Sequence, residues 1–172
     1  RTLHCFHYIN LTFPGEQTIR RIFGTMINTH LSSFDEDIKP VGDIATTATL
    51  EIYLKLTNEM LPTPAKPHYT FNLRDISRVF QGMLQAQRDY YDARDAMVRL
   101  WAHECCRVFK DRLSNDADRD FFDEVLNDKL THQFNVPLKH LCTDGVIQPF
   151  GSFMREMPEG KVAHSIASHS IA

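Results

Sequence analysis

The stretch Leu61-Pro-Thr-Pro-Ala-Lys-Pro-His-Tyr-Thr-Phe-Asn-Leu-Arg-Asp-Ile-Ser-Arg-Val-Phe-Gln-Gly-Met-Leu84 changes character half way along. Pro62, Pro64 and Pro67 each remove a backbone donor and steer the preceding residue away from helix, so residues 62–70 are expected to form an extended connector. Asn72 then stands where a helix can begin, its side chain free to cap the first turn, with the negative charge of Asp75 three positions on. The helix that follows is expected to bury Leu73, Ile76, Phe80, Met83 and Leu84. Its other face carries Arg74, Arg78, Gln81 and Gln85, and the two arginines at i and i+4 point the same way.

Upstream, apolar residues recur with helical spacing at Ile19, Ile22, Phe23, Met26, Ile27, His30 and Phe34. A polar linker with Pro40 and Gly42 comes next, after which Asp43 is expected to cap a second helix with the inward stripe Leu50, Tyr53, Leu54, Thr57 and Leu61. Before all of these, residues 3–11 alternate with a rough period of two and suggest one short strand. Downstream, a fourth helix over 93–113 is expected to bury Met97, Leu100, Trp101, Cys105, Val108 and Phe109, with Glu104, Arg107 and Asp111 as a surface ladder. Asn115 or Asp116 caps a fifth helix, with Phe122, Val125, Leu126 and Leu130 inward. From Asn135 onward the periodicity fades, and the last residues, with His-Ser-Ile-Ala twice at His164 and His169, read as a loose tail. The fold class is mainly α: one N-terminal strand, a bundle of about five helices and an irregular C-terminal segment.

The 172 residues carry 19 Lys plus Arg against 22 Asp plus Glu, a formal charge of −3. That near-balance argues against a nucleic-acid partner or a polybasic membrane anchor. With 42% apolar and 24% charged residues the composition is that of a globular protein, and no apolar run approaches the roughly 18 residues of a membrane helix. Four cysteines, Cys5, Cys105, Cys106 and Cys142, are too few and too irregular for a disulfide framework, which suggests a reducing, intracellular compartment. The chain opens at Arg1 without a methionine and enters an apolar stretch at once, as a piece of something longer would.

Nucleotide hydrolysis needs a glycine-rich loop followed by Lys and Ser/Thr, and the sequence has none; Gly160-Lys161-Val162 lacks the hydroxyl residue. Phe121-Phe122-Asp123-Glu124 imitates a magnesium-binding string, but its spacing is helical and a solvated acidic helix face explains it. A zinc reading from His103 and Cys106 with His140 and Cys142 has suitable ligand types but no CxxC, so no metal site is assigned. A thiolate at Cys105 or Cys106, with His103 or His140 as base, has no supporting context. Arg74 is the residue that stands out: in the first turn of a helix directly after a proline-bearing connector, it can lean out toward a phosphate on a neighbouring domain. Helix pattern alone favours the plainer alternative, a surface arginine pairing with Asp75 or capping its own bundle.

The 61–84 string closely resembles the helical lid of the third AAA+ module in dynein heavy chains, with wording like the axonemal branch. Leu100-Trp-Ala-His-Glu-Cys-Cys-Arg-Val-Phe-Lys-Asp-Arg-Leu113 resembles the next stretch of that lid, and the match spans roughly residues 1–130. The resemblance divides the chain into 1–13, the end of the AAA+ large domain; 14–134, the helical lid; and 135–172, an irregular C-terminal segment. It implies a microtubule motor of the cytoplasm, cytoskeleton and ciliary or flagellar axoneme, in which a ring of six AAA+ modules couples ATP binding and hydrolysis to a swinging linker. ATP or ADP with Mg belongs to the parent motor, and no cofactor is expected on the chain alone, which should be inactive. Implied partners are the other modules of the heavy chain, dynein intermediate and light chains, and microtubules through distant regions; nucleic acid and membrane are not among them. By the resemblance Arg74 takes the position of the sensor-2 arginine. Arg1 fits the first position of an Arg-x-x-Arg-His-Phe pattern, which marks it as a candidate inter-module arginine, with His4 in the second arginine's place. Phe150-Gly-Ser-Phe-Met154 resembles a closing string in which Ser152 replaces an acid. The rival reading is a stand-alone helical interaction module without motor activity.

Overall fold

A computed structural model describes residues 7, 9–10, 12–88, 91, 93–137, 142–143 and 146–147. Among these, five α-helices follow in order: α1 (Glu16–Leu31), α2 (Lys39–Glu59), α3 (Leu73–Met83), α4 (Arg94–Cys105) and α5 (Asp116–Gln133). The helical bundle is thus the fold that the periodicity indicated. The proposed strand at 3–11 and Arg1 fall mostly outside the described residues, and Ile9 and Asn10 form no strand.

α2 is the central element, packed on α1, α4 and α5, while α3 lies against α4 and α1. The core gathers around Trp101, which is fully buried and donates its indole N–H to Thr49 Oγ1 at 2.8 Å. That hydroxyl in turn donates to the carbonyl of Ala45 at 2.7 Å, so the indole N–H and the hydroxyl are both satisfied. Phe134 lies 4.7 Å from the Trp101 ring, and Phe23 stacks on Phe80 at 5.0 Å.

Several local expectations change. α2 begins at Lys39, four residues before Asp43, because Pro40 sits in the first helical positions where a missing N–H costs nothing. Gly42 is no linker glycine: it is buried at the α1–α2 crossing, where a Cβ would lie 2.3 Å from Asn28 Oδ1 and 3.1 Å from a Leu31 methyl. Ile22, Met26, Leu54 and Leu61, expected inside, are exposed. The 62–70 connector is not simply extended; it folds into turns with a Thr63–Lys66 bridge and buries Tyr69. Tyr69 donates its hydroxyl to Asp118 Oδ2 at 2.8 Å, and Lys66 also pairs with Asp118, fastening the connector to the start of α5. The Lys66 hydrogen bond, with a further one from Tyr69, lowers the Asp118 pKa.

α4 does not run on as α-helix. Residues Cys106–Lys110 form a π-helical turn, closed by Asp111 N–H donating to the Cys106 carbonyl at 3.0 Å. α5 ends where Asn135 takes φ 56°, a left-handed conformation that asparagine tolerates, and Val136 N–H donates to the Leu130 carbonyl at 3.1 Å. Beyond it, in the segment read as irregular, β1 (Cys142–Thr143) and β2 (Val146–Ile147) pair antiparallel, and β2 lies against α4.

Candidate functional site

The start of α3 is built by a reciprocal cap. Asn72 Oδ1 accepts from Arg74 N–H at 2.9 Å, and Asp75 Oδ2 accepts from Asn72 N–H at 2.9 Å. Asp75 is buried at 4% exposure, which an unpaired carboxylate would not tolerate; Arg112 supplies the counter-charge at 3.2 Å. Arg112 also donates to the carbonyls of His68 at 2.5 Å and Thr70 at 3.2 Å, and its guanidinium lies 4.9 Å from the Phe71 ring centre. One arginine thereby locks the connector, the cap and the end of the π-turn together.

A second buried carboxylate lies on α4. Glu104 is 7% exposed and accepts from Arg107 Nε at 2.9 Å and Nη2 at 2.6 Å. The expected Glu104–Arg107–Asp111 surface ladder is therefore wrong for Glu104, which turns into the α3–α4 contact. Space for it comes from Gly82, where a Cβ would sit 2.1 Å from the carboxylate. Burial, with Glu104 adding to it, pushes the Tyr91 phenol up to about 12.

Between α3 and the π-turn opens a cleft of about 460 Å³, lined by Thr70, Asn72, Arg74, Asp75, Arg78, Arg107, Val108, Asp111 and Arg112. Arg107 and Arg112 are tied to Glu104 and Asp75. Arg74 is exposed and, among the described residues, no carboxylate pairs with its guanidinium, so the Arg74–Asp75 surface pair does not form. Sequence reasoning found Arg74 and the cap but missed Arg107, Arg112 and the buried acids. The π-turn brings residues five apart onto the cleft, and an α-periodic reading cannot see that.

The other candidates are settled differently. Cys105 is fully buried and burial pushes its thiol up, so it is no thiolate nucleophile. His103 and Cys106 lie on the α4 to π-turn stretch, His140 lies outside the described residues, and of Cys142 only the backbone is described. No group of three metal-binding side chains occurs among the described residues. Asp123 sits on α5 and pairs with Lys110 at 2.6 Å, as a solvated helix face would. No helix among the described residues is long and apolar enough to cross a membrane.

A bundle of helices packed around a central α2 is consistent with the fold of a AAA+ lid. Residues 45–140 match the AAA+ lid domain, and the chain belongs to that family. Its relatives are dynein heavy chains: over 151 residues it is 52% identical to dynein axonemal heavy chain 2 of Mus musculus and 50% identical to that of Homo sapiens, covering 88% of this chain and 3% of each relative. It is also 38% identical over 158 residues to the dynein-1-beta heavy chain, flagellar inner arm I1 complex, of Chlamydomonas reinhardtii, covering 91% of this chain and 4% of that protein. The chain thus spans only a few per cent of the length of the curated relatives it matches.

Proposed function

We infer that this chain serves as the lid of a regulatory AAA+ module, the third, in an axonemal dynein heavy chain, where Arg74 reads the nucleotide of its own module. The observation that carries this reading is the exposed Arg74 lining the cleft, paired with no carboxylate among the described residues, with its backbone root fixed by the Asn72–Asp75 cap. A phosphate suits that edge, since Arg offers a planar fork of donors. ATP or ADP with Mg would be held mainly by a large AAA+ domain, and Arg74 would approach the phosphates from this side. Magnesium and the phosphate loop supply the charge stabilisation of hydrolysis.

What the chain itself contributes is mechanical. Arg112 ties Asp75 of α3 to the connector and to the exit of the π-turn, and Glu104 of α4 packs on Gly82 of α3, so a pull on Arg74 moves the bundle as one body. That rotation passes to the next module during minus-end-directed movement on microtubules in the axoneme. Intermediate and light chains and the microtubule contact lie with other regions of the heavy chain. The test is Arg74→Ala in the full motor: nucleotide affinity at the third module is expected to fall by about tenfold, as for a lost charged hydrogen bond, while the bundle stays folded. Unchanged affinity and motility remove the assignment.

A further inference from the structure

Arg78 is one helical turn beyond Arg74 on the same cleft, exposed, and among the described residues no carboxylate pairs with its guanidinium. We propose that Arg78 is a second phosphate-directed arginine of the lid, acting beside Arg74 on the same nucleotide; the inference rests on the nucleotide-sensing reading of that cleft.

Four guanidiniums face the cleft, from α3 and from the π-turn and its exit. The carboxylates that face it are Asp75 and Asp111, and Glu104 reaches it only through Arg107. Asp75 is taken up by Arg112 and by the cap, and Glu104 by both nitrogens of Arg107. Asp111 forms no ion pair among the described residues and lowers the positive excess of Arg74 and Arg78 without cancelling it, since one acid stands against two guanidiniums. Like charges at i and i+4 repel on a helix. An anion between them removes that repulsion and accepts from both.

The root of Arg78 also has a tie from outside α3. Its carbonyl accepts a long hydrogen bond from Arg107 Nη2 at 3.5 Å, and the buried Glu104 fixes Arg107 in turn. The next turn of α3 is thus fastened to the π-turn while the Arg78 side chain is left to the cleft. Two arginine forks on successive turns of one cleft match a polyphosphate, which presents oxygens on neighbouring phosphorus atoms, better than they match a single carboxylate.

The experiment measures binding of a fluorescent ADP and ATP to the third module of the full motor, with the other nucleotide sites disabled, for Arg74→Ala, Arg78→Ala and Arg78→Lys. Arg78→Ala is expected to weaken binding by about tenfold with an unchanged melting temperature, and Arg78→Lys to recover part of the loss. If Arg74→Ala weakens binding and Arg78→Ala does not, Arg78 is an ordinary surface cation and this inference falls while the sensor reading stands. If neither substitution changes binding, the sensor reading falls and this one with it. A loss in Arg78→Ala accompanied by a lowered melting temperature, with no recovery by lysine, makes the residue structural and also overturns the proposal.

Discussion

Two glycines on packed helices face opposite environments, and they set opposite expectations for the same substitution. At Gly82 an added Cβ falls 2.1 Å from the Glu104 carboxylate, which Arg107 and the α3–α4 packing hold in place. Gly82→Ala should therefore destabilise the bundle by about 1–3 kcal/mol, the usual range for overpacking. At Gly24 on α1 the nearest atom to a new Cβ is a Thr46 methyl at 4.0 Å. Gly24→Ala should stabilise by about 0.5–1 kcal/mol through helix propensity. Urea unfolding of both variants checks the pair; equal effects would mean that the Glu104 cage yields easily. Arg74 was legible in the sequence because a capped helix start after a proline-rich connector fixes where its root lies. Glu104 was not, because a carboxylate between polar neighbours reads as surface until the glycine that admits it is seen across the helix contact.

At the level of elements, the α3 cap joins local structure to the cleft. Asn72→Ala should lower stability by about 1 kcal/mol and speed amide hydrogen exchange at Arg74, whose N–H loses its acceptor. Exchange protection at Arg74 equal to that of the parent chain would show that the cap does not fix this turn. The cap was readable from residues 72–75 alone, since its geometry depends only on near neighbours. So were the inward residues of α5, Phe122, Val125, Leu126 and Leu130, all of which are buried. The start of α2 was misread because Pro40 and Gly42 break helices in isolation, yet one sits in the first turn and the other serves a close crossing. α1 was read too generously: Ile22 and Met26 have helical spacing but face outward, and period alone does not say how wide the buried stripe is.

Across the whole molecule, the buried titratable groups make stability a function of pH at the alkaline end. The Tyr91 phenol has its pKa pushed from 10.0 up to about 12, first by burial and then by Glu104. Because the folded value lies above the unfolded one, its contribution is fully present below pH 10 and is lost as pH rises toward 12. Unfolding free energy from urea titrations should fall by about 2 kcal/mol across that window in the parent chain, and Tyr91→Phe should remove that part of the slope. A slope that persists unchanged in Tyr91→Phe would assign it to other groups. The architecture itself was the most legible feature, because several amphipathic periods joined by short breaks leave few alternatives to a bundle. The π-turn was the least legible, and it carries a consequence for how this chain tolerates length changes. Its surplus residue sets the phase between the Trp101 core and everything that follows from Arg112 into α5. Loss of a single codon within 106–110 would close the turn to ordinary α geometry and swing that half by about 100° about the helix axis. Point changes there alter one side chain, whereas an in-frame deletion would misdirect two arginines and a helix at once.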